Sequence, residues 1–136
     1  MEDKKASKDI QVGLASSESL DQLDKLVELS LLYDFYGALL KEHKRQIFED
    51  YVLNDLSLSE IAAEQDMTRQ GVYDIVKRCS KELMEYDRKL CLIEKFSKTK
   101  EMVSQIHETA TYIRESGNLE LIEKIELLSN EIVESL

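Results

Sequence analysis

Apolar positions along the chain recur at steps of three and four rather than two, the period of a helix with one buried face. Leu26, Leu29, Tyr33, Tyr36 and Leu40 form the first such stripe, broadened by Leu32 and Phe35, and predict a helix from about Leu23 to Leu40. A second helix, from Glu42 to about Leu53, turns Ile47, Phe48, Tyr51 and Val52 inward, and Asn54-Asp55 stops it. Residues 1–22 are polar and aperiodic and are expected to form a disordered tail.

Between Leu56 and Leu83 the pattern tightens into two helices meeting at a short turn. Ser57 and Glu60 have the spacing of a capping box, and Leu56 and Ile61 flank it as a hydrophobic staple does. The short apolar face Leu58, Ile61, Ala62 breaks at Asp66-Met67, and Thr68 restarts the chain as a second N-cap. Ala62 and Ala63 are small where the two helices must approach. Two capped helices about such a turn are the helix-turn-helix pattern.

The second helix of that pair does not end where a DNA-reading helix usually does. Val72, Val76, Cys79, Leu83, Tyr86, Leu90 and Ile93 follow steps of 4, 3, 4, 3, 4 and 3, a heptad seam that predicts one helix from Thr68 to about Phe96. Met102, Val103, Ile106, Ala110 and Ile113 mark a further helix, closed by Ser116-Gly117-Asn118 with Gly117 suited to the left-handed position after a helix. Asn118 caps a last amphipathic helix carrying Leu119, Ile122, Ile125, Leu128, Ile132 and Val133. The organisation is then a tail over 1–22, a helix-turn-helix domain over 23–83, and a helical packing and dimerisation region over 84–136. The C-terminal helices are expected to cover the long helix and a twofold mate together.

Composition supports an all-α chain: 136 residues contain no Pro and four Gly. No apolar run approaches the roughly twenty residues a bilayer span needs, and the N-terminus lacks a signal-peptide core, so a cytoplasmic protein without membrane insertion is expected. Cys79 and Cys91, twelve residues apart on what reads as one helix, are too distant for a disulfide and are expected to be small, partly buried apolar residues. His43 has no second ligand at metal spacing and reads as a surface residue. With no Gly-rich loop, nucleophile elbow or metal motif, the chain is read as no enzyme, with no cofactor.

A net charge of −10 disfavours nucleic acid taken as a sum, but its distribution does not. Residues 69–100 hold nine Lys and Arg against five Asp and Glu, while the rest of the chain holds nine basic and 23 acidic residues. From Glu101 onward eight acidic residues outnumber the basic ones, which favours protein contacts there. If Val72, Ile75, Val76 and Cys79 face inward, the opposite face presents Arg69, Gln70, Tyr73, Asp74 and Lys77. Arg69 and Gln70 stand in the first turn, where a recognition helix enters the major groove, and these side chains pair bidentately with guanine and adenine. Tyr73 suits a thymine methyl or a phosphate, and Thr68 with the helix-start amides a phosphate. Lys77, Arg78 and Lys81 suit the backbone, with Lys44 and Arg45 flanking. Asp74 on the same face repels phosphate.

The stretches LLYDFYGALL (Leu31–Leu40), SLSEIAAEQDMTRQGVYDIVKRCSKEL (Ser57–Leu83) and LIEKF (Leu92–Phe96) resemble the YlxM-like bacterial proteins. The resemblance spans about Lys25 to the C-terminus, with Met1 to Asp24 as an extension. Gln65 and Asp66 depart from the family pattern, which has an apolar or Gly residue near the turn. The resemblance implies a helix-turn-helix core of three or four helices, winged-helix-like or similar to region 4 of sigma factors, with a long recognition helix and two C-terminal helices. It also implies an accessory role in the signal recognition particle pathway. The leading expectation is a dimeric DNA-binding regulator. The alternatives are a protein or RNA adaptor of the signal recognition particle or its GTPase, and a coiled-coil scaffold.

Overall fold

The computed structural model describes residues 20–136, and all regular structure among them is helical. Helix α1 covers residues 20–36 and runs into a 3-10 turn at Gly37–Leu39; α2 is Glu42–Val52, α3 Leu58–Gln65 and α4 Arg69–Leu90. Helix α5 is Leu92–Ser116, and a 3-10 turn at Leu119–Leu121 leads into α6, Ile122–Ser135. No strand occurs among the described residues, so no β-wing accompanies the helices there. The tail expected over residues 1–22 lies outside the described residues except for 20–22, which are helical.

The chain divides into two units, the first ending at Lys89 and the second running from Leu90 to Leu136. In the first, the stripes read from the sequence meet in one core. Leu29, Leu32, Tyr36 and Leu40 from the first helical segment, Ile47 and Phe48 from α2, Ile61 and Ala62 from α3, and Val72, Val76, Cys79 and Leu83 from α4 are all buried. The Tyr33 ring lies tilted against Phe48, with ring centroids 5.9 Å apart. Gly37 is required by the same ring, because a Cβ there would stand 2.7 Å from Tyr33. A hydrogen bond from the Tyr36 hydroxyl to Asp87 Oδ1, 2.7 Å, ties the end of α1 to the far end of α4.

The connection from α2 to α3 is organised by a carboxylate. Asp50, buried, accepts from Asn54 Nδ2 at 2.8 Å and Gln46 Nε2 at 3.2 Å, while its carbonyl accepts from the Leu56 amide at 3.1 Å. Asp55 takes the left-handed conformation (φ 55°) as the chain reverses. Ser57 then caps α3 as its spacing predicts, its Oγ accepting from the Glu60 amide at 3.1 Å.

The long helix is shorter than the heptad implied. It stops at Leu90, and Cys91 adopts φ 53° before α5 begins, so the seam does not run to Phe96 on one rod. Leu90 is 47% exposed. The reason is local: the first four seam positions are already consumed by the core of the first unit, and a left-handed residue resets the helix phase. The cysteines therefore do not share a helix, and only Cys79 is buried; Cys91 is exposed.

The second unit is a hairpin of α5 and α6. Gly117 closes α5 in the left-handed region (φ 70°), its amide bonding to the Ile113 carbonyl at 2.8 Å, and Asn118 Oδ1 accepts from the Glu120 amide at 3.2 Å. Gly117 stands where its residue type predicted it, whereas Asn118 caps the 3-10 turn and α6 itself starts after Leu121 with no side-chain cap. Two helices share only one seam, so Thr109 and Leu128 are buried, whereas Val103, Tyr112, Leu127 and Val133 stay exposed.

Candidate nucleic-acid interface

The turn between α3 and α4 is built from backbone conformation and one hydroxyl. Asp66 is left-handed (φ 53°, ψ 46°), the conformation for which Gly is favoured, and its amide bonds back to the Ala62 carbonyl. The Met67 amide shares that carbonyl at 2.9 Å. Asp is among the few residues that enter this region at low cost, so the departure from Gly at Asp66 leaves the reversal intact. Thr68 then caps α4: its Oγ1 accepts from the Gly71 amide at 3.0 Å, and its carbonyl from the Val72 amide at 3.1 Å. Gly71 leaves room for that cap, since a Cβ there would sit 3.1 Å from Thr68 Oγ1. Of the two alanines expected at the close approach, Ala62 is buried and Ala63 is exposed.

At about 3.6 residues per turn, α4 has distinct sides. Val72, Val76, Cys79 and Leu83 face the core. Arg69, Gln70, Tyr73, Asp74, Lys77, Arg78 and Lys81 are exposed, as is Thr68 at the helix start. From Arg69 to Lys81 the helix rises about 18 Å, enough to follow the width of a major groove, about 12 Å. Ile75, expected inward, is half-buried at the edge of this surface.

The polar contacts sort these side chains further. Gln70 Nε2 donates to Asp74 Oδ1 at 3.1 Å, so the proposed adenine reader is held by the one acidic residue on the face. Among the described residues, Arg69, Lys77, Arg78 and Lys81 form no salt bridge, whereas Arg88 and Lys89 share Glu85, and Lys98 pairs with Glu94. The Glu85 carboxyl is held below the usual carboxylate range chiefly by the Arg88 hydrogen bond. The basic segment is therefore not one stripe. Its first half forms no salt bridge among the described residues, its second is partly neutralised, and Lys95, Lys98 and Lys100 belong to the second unit.

On α2, Lys44 is half-buried and Arg45 exposed, but Arg45 is committed: its Nε donates to the Tyr33 hydroxyl at 3.2 Å, which donates to Glu49 at 2.9 Å. Burial raises the Tyr33 phenol above its ordinary value, and Glu49 adds to that. A committed guanidinium is a weaker phosphate ligand than a free one. His43 is exposed, and the described residues hold no group of His, Cys, Asp and Glu arranged to take a metal ion. No described helix is long and apolar enough to cross a membrane.

Sequence reasoning overlooked Lys25. Its only signal was position: it stands one residue before Leu26, at the edge of the buried stripe, and its proximity to Lys77 and Lys81 arises only when α1 and α4 pack together.

Comparison with known proteins agrees with a helix-turn-helix chain. Residues 23–128 match a protein family described as "Putative helix-turn-helix protein, YlxM / p13 like". A UPF0122 protein of Thermoanaerobacter sp. (strain X514) is 41% identical over 112 residues, covering 82% of this chain and 96% of its own. The UPF0122 protein YlxM of Bacillus subtilis (strain 168) is 39% identical over 107 residues, covering 78% of this chain and 97% of its own. The match takes in α3, the left-handed turn at Asp66, the Thr68 cap and the exposed first turns of α4, and the chain belongs to this YlxM-like helix-turn-helix family.

Proposed function

We propose that the protein is a non-enzymatic, cytoplasmic DNA-binding regulator that inserts the N-terminal half of α4 into the major groove. The observation that carries this reading is the capped start of α4: a three-residue turn presents Thr68, Arg69 and Gln70 on one exposed end, followed by Lys77, Arg78 and Lys81, three cations that form no salt bridge among the described residues. Arg69 and Gln70 read base edges, Tyr73 meets a thymine methyl or the backbone, and Thr68, Lys77, Arg78 and Lys81 hold phosphates. Lys44 and Arg45 contribute at the flank, Arg45 only after leaving Tyr33. Region 4 of sigma factors is the model for this docking, and a link to the signal recognition particle pathway follows from the family resemblance. Residues 23–83 carry the recognition module, and residues 84–136 carry a homodimer interface, which would set two recognition helices on one face of a duplex.

The test is an anisotropy titration against duplex DNA at several salt concentrations. Affinity falls as salt rises, and Lys77→Ala flattens the slope by about 0.9 for the phosphate contact it removes. Replacing Arg69 and Gln70 together with Ala levels the preference between sequences. Unchanged affinity of the double variant for every DNA and RNA tried would remove the reading-face assignment.

A second reading is favoured by Asp74 and by the net charge of −10, both adverse to duplex DNA. In it the same surface docks on the protein or RNA of the signal recognition particle, or on its GTPase. Saturable binding to one of these, with no salt-dependent affinity for any duplex, selects it.

A further inference from the structure

We propose that the trough between α1 and α4 is a docking site for an acidic amphipathic helix of a partner protein. The trough has a volume of about 560 Å³. Its α4 wall consists of Tyr73, Val76, Lys77, Ser80, Lys81 and Met84, a stripe at steps of three, one, three, one and three that climbs about 16 Å along the helix. Gln22, Lys25, Leu26 and Leu29 form the facing wall with the same periodicity, so both sides present helical ridges rather than a closed cup. Two facing ridges, with Tyr51 and Leu58 also lining the trough, accept the apolar face of a third helix at i, i+3 and i+7 spacing.

Charge selects the partner. In a chain with 28 acidic and 18 basic residues, this trough has three lysines and no carboxylate among its lining side chains. Lys25, Lys77 and Lys81 are exposed and form no salt bridge among the described residues. A helix with carboxylates flanking its apolar face satisfies all three, whereas a basic or neutral one leaves them uncompensated. The elongated shape favours a helix over a compact ligand, since the ridge along α4 extends for three turns.

The trough lies on the flank of α4 next to the proposed reading face and shares Tyr73, Lys77 and Lys81 with it. Groove occupancy therefore excludes DNA. That exclusion rests on the DNA reading above, whereas helix docking does not.

The probe is a fluorescein-labelled, 15-residue synthetic helix with leucines on one face and glutamates flanking them, titrated by anisotropy into the full chain. A second peptide has glutamine in place of every glutamate. Saturable binding is expected at micromolar concentration, with affinity weakened about tenfold or more by Lys25→Glu combined with Met84→Glu, and likewise by the glutamine peptide. Both substituted residues are solvent-exposed, so this variant keeps its thermal melting profile. Arg69→Ala, outside the trough, spares the peptide. No saturable binding up to millimolar peptide, equal binding by the charge-reversed variant, or equal binding of the glutamine peptide would overturn the proposal. If the acidic peptide binds as expected but no duplex does, the docking site stands and the DNA reading fails.

Discussion

Asp66, Thr68 and Gly71 show how few residues set where α4 starts. Asp66 makes the reversal in a left-handed conformation, Thr68 satisfies the Gly71 amide, and Gly71 has no side chain to crowd the cap. Thr68→Ala loses the cap and is expected to lower stability by about 1 kcal/mol in denaturant unfolding. Asp66→Gly relieves the left-handed strain and is expected to raise stability by up to about 1 kcal/mol, because the residual penalty of a Cβ there exceeds the entropy Gly adds to the unfolded chain. The two cysteines separate just as sharply. Burial pushes the Cys79 thiol above its ordinary value, with Glu82 acting in the same direction, and the side chain is inaccessible. A thiol reagent near neutral pH is expected to modify Cys91 in the native protein and Cys79 only after denaturation. Rapid labelling of both would show that the α4 seam opens readily.

Helix α4 does two jobs at once. Its inward stripe supplies four core residues, and its outward side supplies the cations. The helix is anchored at its far end by the Tyr36 hydroxyl bonding to Asp87, a contact between residues fifty-one positions apart that no local pattern reveals. Asp87→Ala removes that acceptor and is expected to cost about 1–2 kcal/mol by thermal unfolding. Along the seam the costs should diverge: Leu83→Ala, fully buried, about 2–5 kcal/mol, and Leu90→Ala, half exposed, within about 0.5 kcal/mol. A heptad that continued as one packed rod would make those costs comparable. The Ser57 and Thr68 caps and the Gly117 helix end were legible from residue type and spacing because caps are local chemistry. The end of α4 at Cys91 was not, because a single left-handed cysteine carries no compositional signal and the apolar spacing continues through it.

At the scale of the molecule, the two units differ in how completely they hide apolar surface. The first has one core shared by four helices, although Leu23, Val27 and Leu31 of α1 stay exposed. The second, a two-helix hairpin, leaves Val103 and Tyr112 of α5 and Leu127 and Val133 of α6 exposed, which is the physical basis for the proposed dimer. Sedimentation is expected to show a dimer at micromolar concentration, converted to monomer by Val103→Glu with Val133→Glu. A wild-type monomer at that concentration would rule out the interface. Charge divides along the chain rather than by unit: Arg69, Lys77, Arg78 and Lys81 on α4 form no salt bridge among the described residues, whereas from Glu101 onward eight acidic residues outnumber the basic ones.

The sequence by itself determined the helical period, the caps, the turn and the family, since each depends on residues within a few positions of one another. Tertiary structure alone decided what those elements face. The packing of α1 against α4 turns Lys25, Lys77 and Lys81 into one rim, and the contact with Tyr33 commits Arg45. Gln70 and Asp74, though only one helical turn apart, needed side-chain rotamers to reveal their hydrogen bond. Period and capping are properties of a segment, whereas the competition for each polar group is settled only when segments meet.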